Sequence, residues 1–374
     1  MSGPGRRSLK WTEHGPGVLP AWVAEMDFGI AAPIAAALHE AVDDAATGYP
    51  FPAAEAAVVS AATAFWEQRF GWSVDPAHVA HAPDVVEGLR RAVVHLTDPG
   101  TPVVVPTPAY YPFFSMVERA GRAMVGVPSR RDDDGRWRLD VDAIAAALRG
   151  GAGSVVLCNP WNPTGRCLDA EEIAAVIDVA RAHGARVLAD EVHAALTHAG
   201  SAHVAAASLD PETVVTVTAA SKAFDIPGLK AAQVVLTDDR DLEVWSGYFT
   251  PEKTGVGTFG LIASAAAYSE GGSWLEEVLG RLDGLRHRLV SLVEEHLPLA
   301  SCPLPEATYL AWIDLSAYLL ENPAAHLLEH ARVALSDGAQ FGPGGEGHVR
   351  FNFATDDEIL VEIVARMASV LEAR

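Results

Sequence analysis

The stretch Val214-Val215-Thr216-Val217-Thr218-Ala219-Ala220-Ser221-Lys222-Ala223-Phe224 carries an amine to the polar end of a β-branched run. Valine and threonine favour an extended chain, so Lys222 stands just past a strand. A lysine there is either solvated surface or an amine that forms a Schiff base. Two other stretches turn polar in the same way. They are Val187-Leu188-Ala189-Asp190-Glu191-Val192-His193 and, after the apolar run 154–158, Asn159-Pro160-Trp161-Asn162-Pro163-Thr164-Gly165. In an open parallel sheet, such strand ends line one crevice beyond the carboxyl edge.

Working outward, apolar runs at 103–106, 154–158, 186–189, 213–217 and 233–236 read as strands. Alanine-rich stretches at 53–70, 85–96 and 169–183 read as helices between them. This alternation is the signature of an α/β fold with a mostly parallel sheet. After about residue 272 the pattern changes to a long charged helix, 274–297, and short strands at 308–314 and 348–353. We therefore expect a large domain over 47–272 and a smaller α+β domain over 273–374, with 1–46 packing on the latter. A chain of 374 residues is long enough for two such cores.

Composition narrows the function. Hydrophobic residues make up 49% and charged residues 20%, the balance of a globular chain with a large core. A net charge of −22 repels phosphate backbones and anionic lipid, so neither nucleic acid nor membrane is an expected partner. Cys158, Cys167 and Cys302 are odd in number and form no CxxC pair, which argues against a disulfide scaffold or a zinc knuckle; no metal is expected. The start, with Arg6, Arg7 and Lys10, lacks the apolar stretch of a signal peptide, and no run reaches membrane-spanning length. The expected compartment is the cytoplasm.

The chemistry follows from the strand ends. An aldehyde cofactor held by Lys222 needs a carboxylate to keep its pyridine nitrogen protonated, because the protonated ring is the electron sink. Asp190 suits that role, or caps the following segment. Asn162, between prolines, offers an amide to the ring's phenolic oxygen, or serves turn chemistry alone. In Thr107-Pro108-Ala109-Tyr110-Tyr111-Pro112, Tyr110 either faces the ring or fills the core. For a phosphate, Asp84-Val85-Val86-Glu87-Gly88 opens a helix with free amides at Val85 and Val86, and Ser221 and Lys230 add a hydroxyl and a charge. Asp84 would repel that phosphate unless it points away as the N-cap.

These residues in this order resemble the fold-type I pyridoxal 5'-phosphate enzymes of the class I/II aminotransferase superfamily. Within it the sequence is most similar to the MalY/PatB-type cystathionine β-lyase branch. The resemblance is carried by Trp22-Val23-Ala24-Glu25-Met26-Asp27-Phe28, 159–166, 190–193, 221–230, Pro305-Glu306-Ala307-Thr308-Tyr309-Leu310-Ala311-Trp312 and Val349-Arg350-Phe351-Asn352-Phe353. It implies a seven-stranded, mostly parallel sheet between helices, plus the smaller domain. It also implies Lys222 as the aldimine lysine, Asp190 as pyridinium partner, Asn162 as phenolate donor, Tyr110 as stacking ring, and Ser221 and Lys230 as phosphate contacts. Arg350 matches the arginine that binds the substrate α-carboxylate, a role its two-pronged guanidinium fits. Tyr49, in Gly48-Tyr49-Pro50, matches a tyrosine that reaches a neighbouring cofactor, which implies a homodimer. His193 and Trp22 shape the pocket.

The activity implied is α,β-elimination from cystathionine or another S-substituted L-cysteine, releasing a thiol, pyruvate and ammonia, with Lys222 as base. The same residues serve an aminotransferase, which is the alternative; a non-catalytic regulatory protein on this fold is a third reading. Three positions depart from the family pattern. Ala219 stands where a phosphate-binding serine is usual, Asp225 replaces asparagine, and Glu25 replaces aspartate.

Overall fold

The β-branched and apolar runs do form strands, and the ends of those strands set the site. The computed structural model describes residues 7–132, 135–249 and 253–371; Arg6 and the terminal residues 372–374 of the expected small domain lie outside them. A seven-stranded sheet is built from β1 (Val79–Ala82), β2 (Val103–Thr107), β3 (Met124–Pro128), β4 (Ser154–Cys158), β5 (Arg186–Asp190), β6 (Val214–Thr218) and β7 (Ala232–Val235). Its spatial order is β1-β7-β6-β5-β4-β2-β3. Only β7 runs antiparallel to its neighbours, so the other six strands share one carboxyl edge.

Burial on both faces explains why these strands are nearly continuous apolar runs. Val104, Val155, Leu157, Val187, Ala189 and Val214 point into the larger core cluster. Their alternating neighbours Val103, Val105, Val156, Leu188, Val215 and Val217 point into a second cluster on the opposite face. Two strands escape the sequence reading. β1 has only four residues with His81 among them, and β3 is an edge strand with mostly uncovered side chains and a proline at its end. The first is too short and broken by a histidine, and the second is apolar but holds a glycine and ends on a proline, both poor strand formers.

The helices follow from alanine richness and cap chemistry. The sequence-expected helices appear as α2 (Pro52–Phe70), α3 (Val85–His95) and α4 (Ala170–Ala182). Asp84 caps α3 by accepting from the Glu87 amide at 2.9 Å, and Asp169 caps α4 in the same way through Glu172. The long helix α6 (Gly272–His296) buries Leu275, Val278, Leu282, Leu285, Leu289 and Leu292, a stripe at helical spacing. It packs beside α7 (Asp357–Val370).

A three-stranded antiparallel sheet accompanies those two helices. It contains β8 (Leu310–Asp314), β9 (Ser336–Asp337) and β10 (His348–Asn352), with Arg350 opposite both Trp312 and Ser336. The opening segment gains a strand partner that its sequence does not advertise. Leu19 and Pro20 pair in parallel with Val333 and Ala334, and the Asp27 amide donates to Ala354 at 3.1 Å. Beyond it, α1 (Ala32–Asp43) packs instead against α5 (Thr258–Glu270), within the span expected for the large domain. Among the described residues, no helix is long and apolar enough to cross a membrane.

Candidate active site

At the shared carboxyl edge lies a cavity of about 440 Å³. The sheet supplies it with Asp190 from the end of β5, and with Ser221 and Lys222 from the loop after β6. The start of α3 contributes Val85 and Val86, the loop after β2 contributes Tyr110, and the turn before β7 contributes Lys230. Seven sequence-expected residues therefore line one cavity. They sit together because each follows or ends an element whose direction the sheet fixes.

Electrostatics at this edge are unusual. Burial pushes the Asp190 carboxyl up to about 7, opposed by a hydrogen bond from the Val192 amide at 3.1 Å. Burial and the nearby Arg350 charge lower Lys222 to about 8, against the pull of Asp225, Glu25 and Asp190. Its Nζ donates to the Ala24 carbonyl at 3.0 Å. His193 is buried and held neutral, its pKa lowered to about 3 by desolvation and by the Lys222 and Arg350 charges. Burial raises Tyr110 to about 12, so its phenol stays protonated.

Arg350 and Asn162 are buried together beside this cavity. Arg350 donates from Nη1 to Asn162 Oδ1 at 3.1 Å, and from Nη2 to the Trp22 carbonyl at 2.9 Å and Ser336 Oγ at 3.2 Å. Its guanidinium also sits 5.0 Å from the Phe341 ring centroid. The Arg350 Nε is buried without a partner. Asn162 thus turns its oxygen to the guanidinium and its NH2 end away from it.

Three residues sit differently from the simplest reading. Trp22 reaches Arg350 through its backbone carbonyl, whereas its indole donates to the Lys10 carbonyl at 3.4 Å and packs edge-on to His14. Tyr49 lies outside the cavity; it is 84% exposed in a separate cleft with Gly228, Leu229, Val256 and Phe259. Lys230 pairs with Asp84 at 3.0 Å, so the capping carboxylate partly neutralises the lysine near the start of α3.

Of the departures, Asp225 adopts a left-handed backbone (φ 53°), which aspartate tolerates, and accepts from the Met26 amide at 2.9 Å. Glu25 accepts from the Lys10 amide at 3.3 Å, and Ala219 is simply buried. Sequence reasoning passed over Tyr309, Ser336, Phe341, Arg119 and the carbonyls of Trp22 and Ala24. Tyr309 lies in the resembling stretch 305–312 but was given no role there, and Ser336 carried a signal only as a polar group beside an apolar run. The carbonyls carried none, since every residue has one.

The sequence profile of aminotransferase class I and II matches residues 25–367. The chain belongs to the aminotransferase class I and II family. Relatives include the cystathionine beta-lyase of Corynebacterium glutamicum, 37% identical over 98% of this chain and 97% of its own. Another is the cystathionine beta-lyase PatB of Bacillus subtilis (strain 168), 34% identical over the same shares. Among solved structures, the PLP-bound C-S lyase from Staphylococcus hominis superposes with a TM-score of 0.92 at 26% identity, covering 99% of this chain and 98% of that one. The seven-stranded sheet expected for fold type I is the one present.

The aminotransferase class I and II family depends on pyridoxal 5'-phosphate, and the residues here fit that cofactor. Among the described residues, the buried Asp190 carboxylate has no ion-pair partner; it accepts a hydrogen bond from the Val192 amide. A protonated pyridine nitrogen is the cation such a carboxylate lacks. An amine of lowered pKa, a flat aromatic ring and a helix start line the same cavity.

Proposed function

We propose that the chain is a pyridoxal 5'-phosphate-dependent carbon-sulfur β-lyase acting on cystathionine or another S-substituted L-cysteine. The observation that carries this reading is full-length identity of 34–37% to proteins named cystathionine beta-lyase, joined to the convergence of Lys222, Asp190 and Arg350 on one site. The net reaction consumes the amino acid and one water, and yields a thiol, pyruvate and ammonia.

Asp190 would hold the cofactor's ring nitrogen, Asn162 its phenolic oxygen, and Tyr110 one face of the ring, with His193 a neutral neighbour. The amides of Val85 and Val86, with Ser221 and Lys230, would hold its phosphate. When bound, the cofactor supplies a sink for the electron pair left at the substrate Cα. Arg350 takes the substrate carboxylate through donors that include its unpartnered Nε. Lys222, as a low-pKa amine, removes the α-proton, and the Cβ–S bond then breaks with its electron pair leaving on sulfur. Trp22 borders the substrate through its hold on Arg350. Tyr49 of a second copy would complete the site, which makes the working unit a homodimer. We further divide the chain into an N-terminal segment 1–46, a cofactor domain 47–272 and a small domain 273–374, and place it in the cytoplasm.

The test adds L-cystathionine to the purified holoenzyme while cofactor absorbance and pyruvate are followed together. Pyruvate from the wild type and none from Lys222→Ala supports the lyase. Loss of the cofactor band without pyruvate, restored by a 2-keto acid, makes the chain an aminotransferase.

A further inference from the structure

Residues 22–26 form a short strap whose backbone groups are taken up by side chains from distant parts of the chain. Arg350 donates to the Trp22 carbonyl at 2.9 Å, and Asn352 Nδ2 to the carbonyls of Val23 and Glu25 at 2.6 and 2.7 Å. The Met26 amide donates to Asp225. Between these anchors the Ala24 carbonyl accepts two hydrogen bonds, one from Lys222 Nζ and one from the Tyr309 hydroxyl, both at 3.0 Å. Tyr309 is wholly buried, with its ring edge-on to His193.

A carbonyl oxygen has two lone pairs, and these two donors fill them. The hydroxyl therefore fixes which direction remains for the amine. Without that constraint Lys222 swings on a flexible four-carbon stem. The hydroxyl hydrogen is also the positive end of a dipole beside the amine, so it adds to burial and Arg350 in favouring the neutral form. Asp225, Glu25 and Asp190 favour the charged form, and His193 faces the amine uncharged.

We propose that the Ala24 carbonyl, held by Tyr309, is the resting acceptor of the Lys222 amine whenever that amine is not bonded to the cofactor, which makes Tyr309 a positioning residue for proton removal. This rests on reading Lys222 as the cofactor-bonding base.

Tyr309→Phe keeps the ring and removes the donor. On the full chain stripped of cofactor, the pH midpoint for the rate of pyridoxal 5'-phosphate uptake, followed by absorbance, is expected to rise by roughly half a unit or more. On the holoenzyme, exchange of the L-alanine α-proton into heavy water, followed by NMR, is expected to slow on the order of tenfold, with half-saturation by alanine little changed. Tyr268→Phe removes a hydroxyl that donates to Gln233 at 3.1 Å outside the cavity, and should leave both readouts unchanged. Should Tyr309→Phe fail to fold, Tyr309→Leu also lacks the donor and must show the same shift. A folded variant with an unmoved pH midpoint or unslowed exchange overturns the proposal. Failure of the underlying reading looks different: Lys222→Ala would then exchange alanine at the wild-type rate.

Discussion

Asp190 closes a strand whose interior is Val187, Leu188 and Ala189, and burial there lifts its carboxyl from 3.8 to about 7. Between those pH values the folded chain binds a proton that the unfolded chain releases. Keeping the carboxylate buried therefore costs nothing below about 4, and the cost grows as pH rises to about 7, reaching roughly 4 kcal/mol. Asp190→Asn removes that cost and also removes the anion proposed to face the cofactor's ring nitrogen. We expect the cofactor-free variant to melt above the cofactor-free wild type near pH 8, with the gap narrowing toward pH 4. Its cofactor dissociation constant, from absorbance titration, should rise at least about tenfold. Such residues are legible because an acid or amine ending an apolar strand is out of keeping with its neighbours. The Ala24 and Trp22 carbonyls are not, because no side-chain pattern marks which backbone group a distant arginine or lysine will reach.

At the scale of the element, α3 brings its first amides to the cavity because its fourth residue has no side chain. A Cβ added at Gly88 would lie 2.8 Å from Val217 Cγ1 on β6 and 3.3 Å from Ala82 Cβ on β1. Gly88→Ala must push the helix off the sheet or force those side chains aside, a cost of about 1–3 kcal/mol. Displacement also moves the amides of Val85 and Val86. The expected outcome is a lowered melting temperature together with weaker cofactor binding, whereas binding at wild-type strength in a destabilised variant would separate the helix start from the phosphate. The central strands and the helices were legible because burial on both faces leaves unbroken apolar runs and because caps are short-range. β1 and β3 were not, since a four-residue strand and an uncovered edge strand need no such run.

Across the whole molecule, the site depends on contacts between the two ends of the chain. Lys10 and Asp27 form an ion pair at 2.8 Å with no exposed side-chain surface, and Lys10 also donates to the Ala354 carbonyl at 3.0 Å. Asp27→Ala leaves that buried ammonium without its carboxylate, a loss of about 3–5 kcal/mol. Replacing both, as Lys10→Met with Asp27→Leu, should cost less than the single change. Because residues 22–26 hold Arg350, the single variant should also raise KM, and a thermal melt beside a steady-state assay checks both. None of this pairing could be read from local pattern, because its partners stand 17 and 344 positions apart. Tyr49 poses the remaining question at this scale. This tyrosine is 84% exposed and lines a cleft separate from its own chain's cavity. On the proposed homodimer it serves the other copy's site, so the two residues needed for one site come from two chains. Co-expressing Lys222→Ala with Tyr49→Ala then tests the arrangement directly. Half of the dimers formed at random pair one variant with the other, and each of these holds one site with both residues intact, so activity should recover to roughly one quarter of the wild type. If Tyr49 served its own chain, the mixture would show no more than the sum of the two variants.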